Sequence, residues 1–201
     1  MSCKAASGTA MMAPNSISSM SNLHHPILFT RRHQRRKIQT RTSAAMKIQY
    51  HEIKVETLNG VSLFDITPHI KEKLHEAGLS NGFVNVLSRH TTTSVTINEN
   101  EERLMDDVRQ FLVKLAPPDY PYLHNDLHLR DGPEDWPGGN EAWRAQEPVN
   151  AHSHILSMLL GNSESIPVSD GKLVLGTWQS CMLVELDGPR TRTVGIQVVG
   201  E

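Results

Sequence analysis

The sequence predicts an α+β domain: mostly antiparallel strands in a two-sheet sandwich with three or four helices. Three observations carry this. Strand-like runs outnumber helical ones along the chain. Asp170-Gly171 and Asp187-Gly188-Pro189 read as hairpin turns between runs of alternating apolar residues. A long helical period occurs in one segment, ending at Leu115.

Taken in order, Ile48, Tyr50, Ile53 and Val55 lie in a first strand-like run, and Asn59-Gly60 turns the chain before Val61-Ser62-Leu63-Phe64. Thr67 is expected to cap a helix with Pro68 in its first turn, where a missing N–H costs nothing, and Gly78 ends it. Phe83, Val84, Val86 and Leu87 form a strand that stops at Arg89-His90, and Val95 and Ile97 alternate in the next. From Asn98 to Leu115, Leu104, Val108, Phe111, Leu112 and Leu115 fall at helical spacing, and Pro117-Pro118 stops the helix. Residues 116–149 read as mostly irregular, with six prolines, Gly138-Gly139 and two of the three tryptophans. Asn150 is a good cap for a short helix running to Gly161, and the last forty residues are strand-rich. Open sheet edges need cover, and self-association is one means.

With 201 residues, 38% of them hydrophobic, the chain can bury one core and spare a tail. Its charge is unevenly placed. Lys4, Arg31, Arg32, Arg35, Arg36, Lys37 and Arg41 precede the first acid, Glu52. Without those seven, 13 basic residues face 22 acids, a net charge of -9. An acidic body argues against nucleic acid as a partner. No stretch approaches the ~20 apolar residues that span a bilayer, so no membrane partner is expected. Of the two cysteines, Cys3 lies in the tail, and Cys181 alone cannot form an internal disulfide, which fits a reducing compartment. The apolar run Cys181-Met182-Leu183-Val184 favours a buried structural thiol over a nucleophile.

Residues 1–45 are rich in Ser, Thr, Ala, Met and Arg and contain no acid, the composition of an organelle transit peptide. Ile27-Leu28-Phe29 is too short for a secretory signal. The Ser-rich start with the arginines held back favours a chloroplast; a mitochondrion is the alternative, and a basic tail for anionic surfaces is the blander one. The domain proper is expected over residues 46–201.

Histidine is the informative residue in the body. His90 ends a strand, His124 and His128 lie in the long loop, and His152 and His154 open a helix. Two apart on a helix, His152 and His154 point to roughly opposite sides, so one of them should face a pocket. His124-Asn125-Asp126 sets an imidazole beside a carboxylate, Asp126, that could ligate or orient. His90, His124 and His154 could together leave an open position on a zinc-type ion. Glu99 flanks the long helix and serves either chemistry or the helix dipole. Arg89, Arg190 and Arg192 suit an anionic substrate, or else are solvated strand ends. Gly176-Thr177-Trp178-Gln179 is odd inside a sheet, since Gly often marks a close backbone approach; Trp178 is either core or a stacking platform.

Together these segments resemble the YjbQ-like, or secondary thiamine-phosphate synthase, family. The matching pieces include Arg89-His90-Thr91-Thr92, Thr96-Ile97-Asn98-Glu99-Asn100 and Asp107-Val108. Tyr122-Leu123-His124-Asn125-Asp126, Ala151-His152-Ser153-His154-Ile155, Leu159-Leu160-Gly161 and Ile166-Pro167-Val168 continue the series. Leu175-Gly176-Thr177-Trp178-Gln179 and Glu185-Leu186-Asp187-Gly188-Pro189-Arg190 complete it. They run in family order across residues 47–201. The resemblance implies a small α/β sandwich that forms a homotrimer, with a site at subunit boundaries and a histidine-lined pocket able to hold a metal. His90, His124 and His154 match the family's histidines, and Glu99 and Gln179 its polar positions. The implied reaction joins a pyrimidine pyrophosphate to a thiazole phosphate and releases pyrophosphate, with a divalent ion, zinc or magnesium, for the leaving group. A metal-dependent hydrolase or a non-catalytic small-ligand binding protein are the competing expectations. The loop from His128 to Pro148 departs from the shorter bacterial pattern and could be a lid or an interface arm.

Overall fold

Eight strands form in the computed structural model, which describes residues 45–201: β1 (Lys47–Glu56), β2 (Ser62–Asp65), β3 (Gly82–Ser88), β4 (Thr93–Asn98), β5 (Ser163–Ser169), β6 (Lys172–Leu173), β7 (Ser180–Glu185) and β8 (Thr191–Gly200). The leader expected over residues 1–45 lies outside the described residues except for Ala45. A five-stranded sheet has the order β1-β8-β3-β5-β6 and a three-stranded sheet the order β2-β7-β4, with every pairing antiparallel. Four helices, α1 (Thr67–Ala77), α2 (Glu102–Leu115), α3 (Gly139–Gln146) and α4 (Ala151–Leu160), complete the α+β sandwich. Among the described residues no helix is long and apolar enough to cross a membrane.

Period-two alternation builds the layers. Val84 and Val86 of β3, Ile166 of β5, and Val194 and Ile196 of β8 turn inward from the larger sheet. They meet Ile70 and Leu74 of α1, with Val95, Cys181 and Leu183 of the smaller sheet. The intervening β7 residue Val184 points the other way, to Leu112 of α2 and Leu156 of α4. β7 is therefore covered on both faces, which is why its sequence is a continuous apolar run. Burial pushes the Cys181 thiol up to about 12, as expected of a structural cysteine. The outer face of the larger sheet exposes Ile48, Tyr50, Phe83 and Leu87.

Asp170-Gly171 does turn the β5–β6 hairpin. Asp187-Gly188-Pro189 does not turn one, because β2 and β4 already occupy both edges of β7. The chain instead leaves the smaller sheet there and enters the larger one as β8. Capping also differs from expectation. α1 begins at Thr67 because the Asp65 carboxylate accepts the Thr67 N–H at 2.9 Å. α2 begins at Glu102 rather than Asn98, because the Glu101 carboxylate accepts the N–H groups of Arg103 and Leu104.

The stretch expected to be irregular contains α3, anchored by buried Trp143. The Arg130 guanidinium stacks 5.1 Å from the Trp143 ring. Arg130 also donates to the His124 carbonyl and to the Glu147 carboxylate, so this stretch is stitched to the histidine segment.

Candidate functional site

The site starts from a buried carboxylate that closes β7. Glu185 is fully buried. Its Oε1 accepts three successive N–H groups, those of Leu186, Asp187 and Gly188, at 3.0, 2.9 and 2.8 Å. Its Oε2 accepts the Thr57 hydroxyl at 2.7 Å. The Arg192 guanidinium grips both oxygens, Nε on Oε2 at 2.6 Å and Nη2 on Oε1 at 2.5 Å. Burial alone would raise this carboxyl; the hydrogen bonds from Arg192, Gly188, Asp187 and Thr57 overcome it and hold the group at about 2. Gly188 fits only without a side chain, since a Cβ would lie 2.3 Å from the Leu58 carbonyl oxygen. The loop from Leu186 to Arg190 is thus fixed from beneath.

That loop forms one wall of a cleft of about 320 Å³ lined by Arg89, His90, Thr92, Asn150, His154 and Arg190, among others. Asp187 accepts from Asn150 Nδ2 at 2.9 Å and pairs with Arg190 at 2.8 Å. Arg89 pairs with Glu52 on the outer surface. Arg192 also lines the cleft, but it is only 2% exposed and its charge is committed to Glu185.

His90 is held in one tautomer. Its Nε2 accepts the Thr193 N–H at 2.8 Å, so a neutral ring carries its proton on Nδ1. Burial, then the Arg192 charge, depresses its pKa, making that neutral form the stable one. His154 faces the same cleft and an adjoining hollow that includes Ser157 and Asn162. Burial and then His124 push His154 down; the His124 ring sits edge-on at 4.9 Å between centroids. His152, two residues earlier, does not line the cleft, as the helical geometry requires.

His124 Nε2 is buried with no hydrogen-bond partner, as a ligand nitrogen would be. It meets His154 but not His90, whose Nε2 is already engaged. Among the described residues no group of three His, Cys, Asp or Glu side chains could hold a metal ion. The three expected histidines therefore do not fit a three-histidine centre within one chain.

The other expected site residues lie elsewhere. Gln179 and Trp178 belong to a turn just before β7, where Gln179 Oε1 accepts the Gly176 N–H at 2.8 Å and Trp178 is 72% exposed. Glu99 follows β4 at the same end, since Asn98 pairs with Ser180. At about 3.3 Å per residue, the length of β7 puts these three roughly 17 Å from the Glu185 end. Asp126 ends the short helical turn of Leu123–Asn125 and does not line the cleft.

The family described as "UPF0047 protein YjbQ-like" matches residues 51–201. The chain belongs to the YjbQ-like family. A UPF0047 protein of Methanothermobacter thermautotrophicus is 37% identical over 156 residues, 78% of this chain and 95% of that protein. A UPF0047 protein of Synechocystis is 33% identical over 162 residues, 80% of this chain and 98% of its own. A crystal structure from Sulfolobus solfataricus superposes with a TM-score of 0.66 at 32% identity, covering 78% of this chain and all of that one. Another, from Aeropyrum pernix, gives 0.64 at 36%, covering 76% of this chain and 99% of that one.

Within this YjbQ-like domain, Glu185, Asp187 and Asn150 organise the cleft and were not singled out as site residues from sequence. Asn150 read as a helix cap; it occupies that position, but its amide serves Asp187 instead. Glu185 did carry a signal, because a carboxylate closing an uninterrupted apolar strand must find partners when buried.

Proposed function

We propose that the cleft binds the phosphate or pyrophosphate group of a small phosphorylated molecule and that the chain is a transferase of the thiamine-phosphate synthase type. The observation that supports this is the convergence of Arg89, Arg190 and the donating Nδ1 of His90 on one cleft. Arg89 and Arg190 are exposed; the Arg89–Glu52 pair is of the surface kind that exchanges readily for phosphate, while the largely buried Asp187 carboxylate holds Arg190 at the cleft. In this reading a pyrimidine pyrophosphate and a thiazole phosphate are joined: the thiazole nitrogen bonds to the pyrimidine's methylene carbon as the carbon–oxygen bond to pyrophosphate breaks. Pyrophosphate leaves with the electron pair, and the arginines take up its charge. Magnesium, if it entered with the substrates, would supply further charge neutralisation at the leaving pyrophosphate and would need few protein ligands. Roles for Glu99, Asp126, Gln179 and Trp178 would require a second copy or a shift of their segments. A homotrimer with its site at subunit boundaries would supply the former, and would cover exposed side chains such as Ile48 and Phe83.

Incubation of the full chain with both substrates and magnesium tests the proposal. Pyrophosphate should be released only when both are present, and Arg190→Ala should slow that release by roughly tenfold or more. Phosphate release from one substrate with water would favour the hydrolase alternative. Tight binding without turnover would leave a binding protein.

A further inference from the structure

Asn150 sits where the N-terminus of α4 meets the cleft, and it is 4% exposed. Its amide orientation is determined. Nδ2 donates to Asp187 Oδ2 at 2.9 Å. With the amide turned over, Oδ1 would face that carboxylate, two acceptors with no proton between them. Oδ1 is therefore the free end, and it is buried with no hydrogen-bond partner. An acceptor left this way is destabilising unless something donates to it. Nothing in the capping geometry accounts for it, since the Asn150 side chain makes no cap hydrogen bond to α4. The cleft thus has two chemically different parts. Arg89, Arg190 and His90 Nδ1 can only donate, whereas Asn150 Oδ1 can only accept.

We infer that Asn150 is a specificity residue: its Oδ1 receives an N–H or O–H of the bound molecule, so the cleft selects phosphorylated compounds bearing an amino or hydroxyl donor over bare phosphates. This rests on the anion-binding role proposed above and deepens it by naming the second recognition element. Asp187 is the positioning residue, since it orients the Asn150 amide and holds Arg190 through the same oxygen, Oδ2. The donating group on the ligand and its phosphate must therefore lie within one small molecule's span.

Three probes test this by calorimetry on the full chain with magnesium: inorganic pyrophosphate, an aminopyrimidinylmethyl pyrophosphate, and the same compound with hydrogen in place of the amino group. The amino compound should bind at least roughly tenfold tighter than its hydrogen analogue, because a site built to pair a donor rejects a ligand lacking it. In Asn150→Ala the amino compound and its hydrogen analogue should bind equally. Equal binding of the two pyrimidines to wild type, or discrimination surviving in Asn150→Ala, overturns the inference while leaving the anion site standing. If inorganic pyrophosphate binds neither wild type nor variant, the anion site and the inference fall together. The wild-type comparison needs no variant, so it decides the matter even if Asn150→Ala misfolds.

Discussion

Arg192 and Glu185 form a two-point ion pair inside the protein, with Nε 2.6 Å from Oε2 and Nη2 2.5 Å from Oε1. The pair joins the end of β7 to β8, and so ties the smaller sheet to the larger one directly beneath the cleft. Because both groups are removed from water, loss of either partner leaves a buried charge unmatched. Arg192→Leu or Glu185→Gln should cost about 3–5 kcal/mol in urea unfolding. A double replacement by apolar residues should recover part of that loss in stability. It should not recover pyrophosphate affinity, since the N–H groups of Leu186, Asp187 and Gly188 would lose their acceptor.

Acid should weaken the fold in two stages. His90, His152 and His154 all have folded pKa values below the ordinary 6.5, chiefly through burial, so the unfolded chain binds protons more readily. Stability should therefore fall as pH drops through that value. Glu185 is held at about 2 against an ordinary 4.5, so its contribution is complete above 4.5 and disappears as pH falls towards 2. Urea midpoints measured across this range should show both stages. The gap between wild type and Glu185→Gln should be widest near neutrality and close in the lower stage.

Gly188→Ala should destabilise the domain by about 1–3 kcal/mol, because the added Cβ meets the Leu58 carbonyl at 2.3 Å. Thermal melts of the two proteins check this. The loop must move to relieve the clash, so pyrophosphate affinity should fall with stability.

Zinc uptake separates the histidines. His124 and His154 lie together while the Nε2 of His90 is engaged by Thr193. Any zinc that the wild type takes up should be lost in both His124→Ala and His154→Ala and kept in His90→Ala, which metal analysis after incubation with zinc checks. Unchanged metal in the first two variants would remove them as ligands.

Residues 1–45 fused to a fluorescent protein should direct it to chloroplasts, as their acid-free, Ser- and Arg-rich composition suggests. Fluorescence in mitochondria would support the alternative address, and a diffuse signal would remove both.

Much of the fold was legible because period and punctuation are local properties. The α2 stripe through Leu104, Val108 and Leu112 and the Asp170-Gly171 turn could be read from neighbours in sequence. Which sheet a strand joins is not local. Asp187-Gly188-Pro189 looked like a hairpin because nothing nearby reveals that β2 and β4 flank β7. The site was partly legible for the same reason. Arg89, His90, His154 and Arg190 stood at element ends and do converge, whereas Glu99 and Gln179 belong to motifs that the fold places at the far end of β7. Asn150 and Glu185 escaped because their roles depend on partners far away in sequence, Asp187 and Thr57 respectively.

The sheet order has a further consequence for how the domain is made. β8 follows every other strand in the sequence, yet it lies inside the larger sheet, paired with both β1 and β3. The β1–β8 ladder joins residues 47–56 to residues 191–200, so contact order is high and folding should be slow for the domain's size. During synthesis β1 and β3 must wait, edges open, until the last strand emerges. Truncation within β8 should therefore prevent folding altogether, because it removes the partner of both β1 and β3.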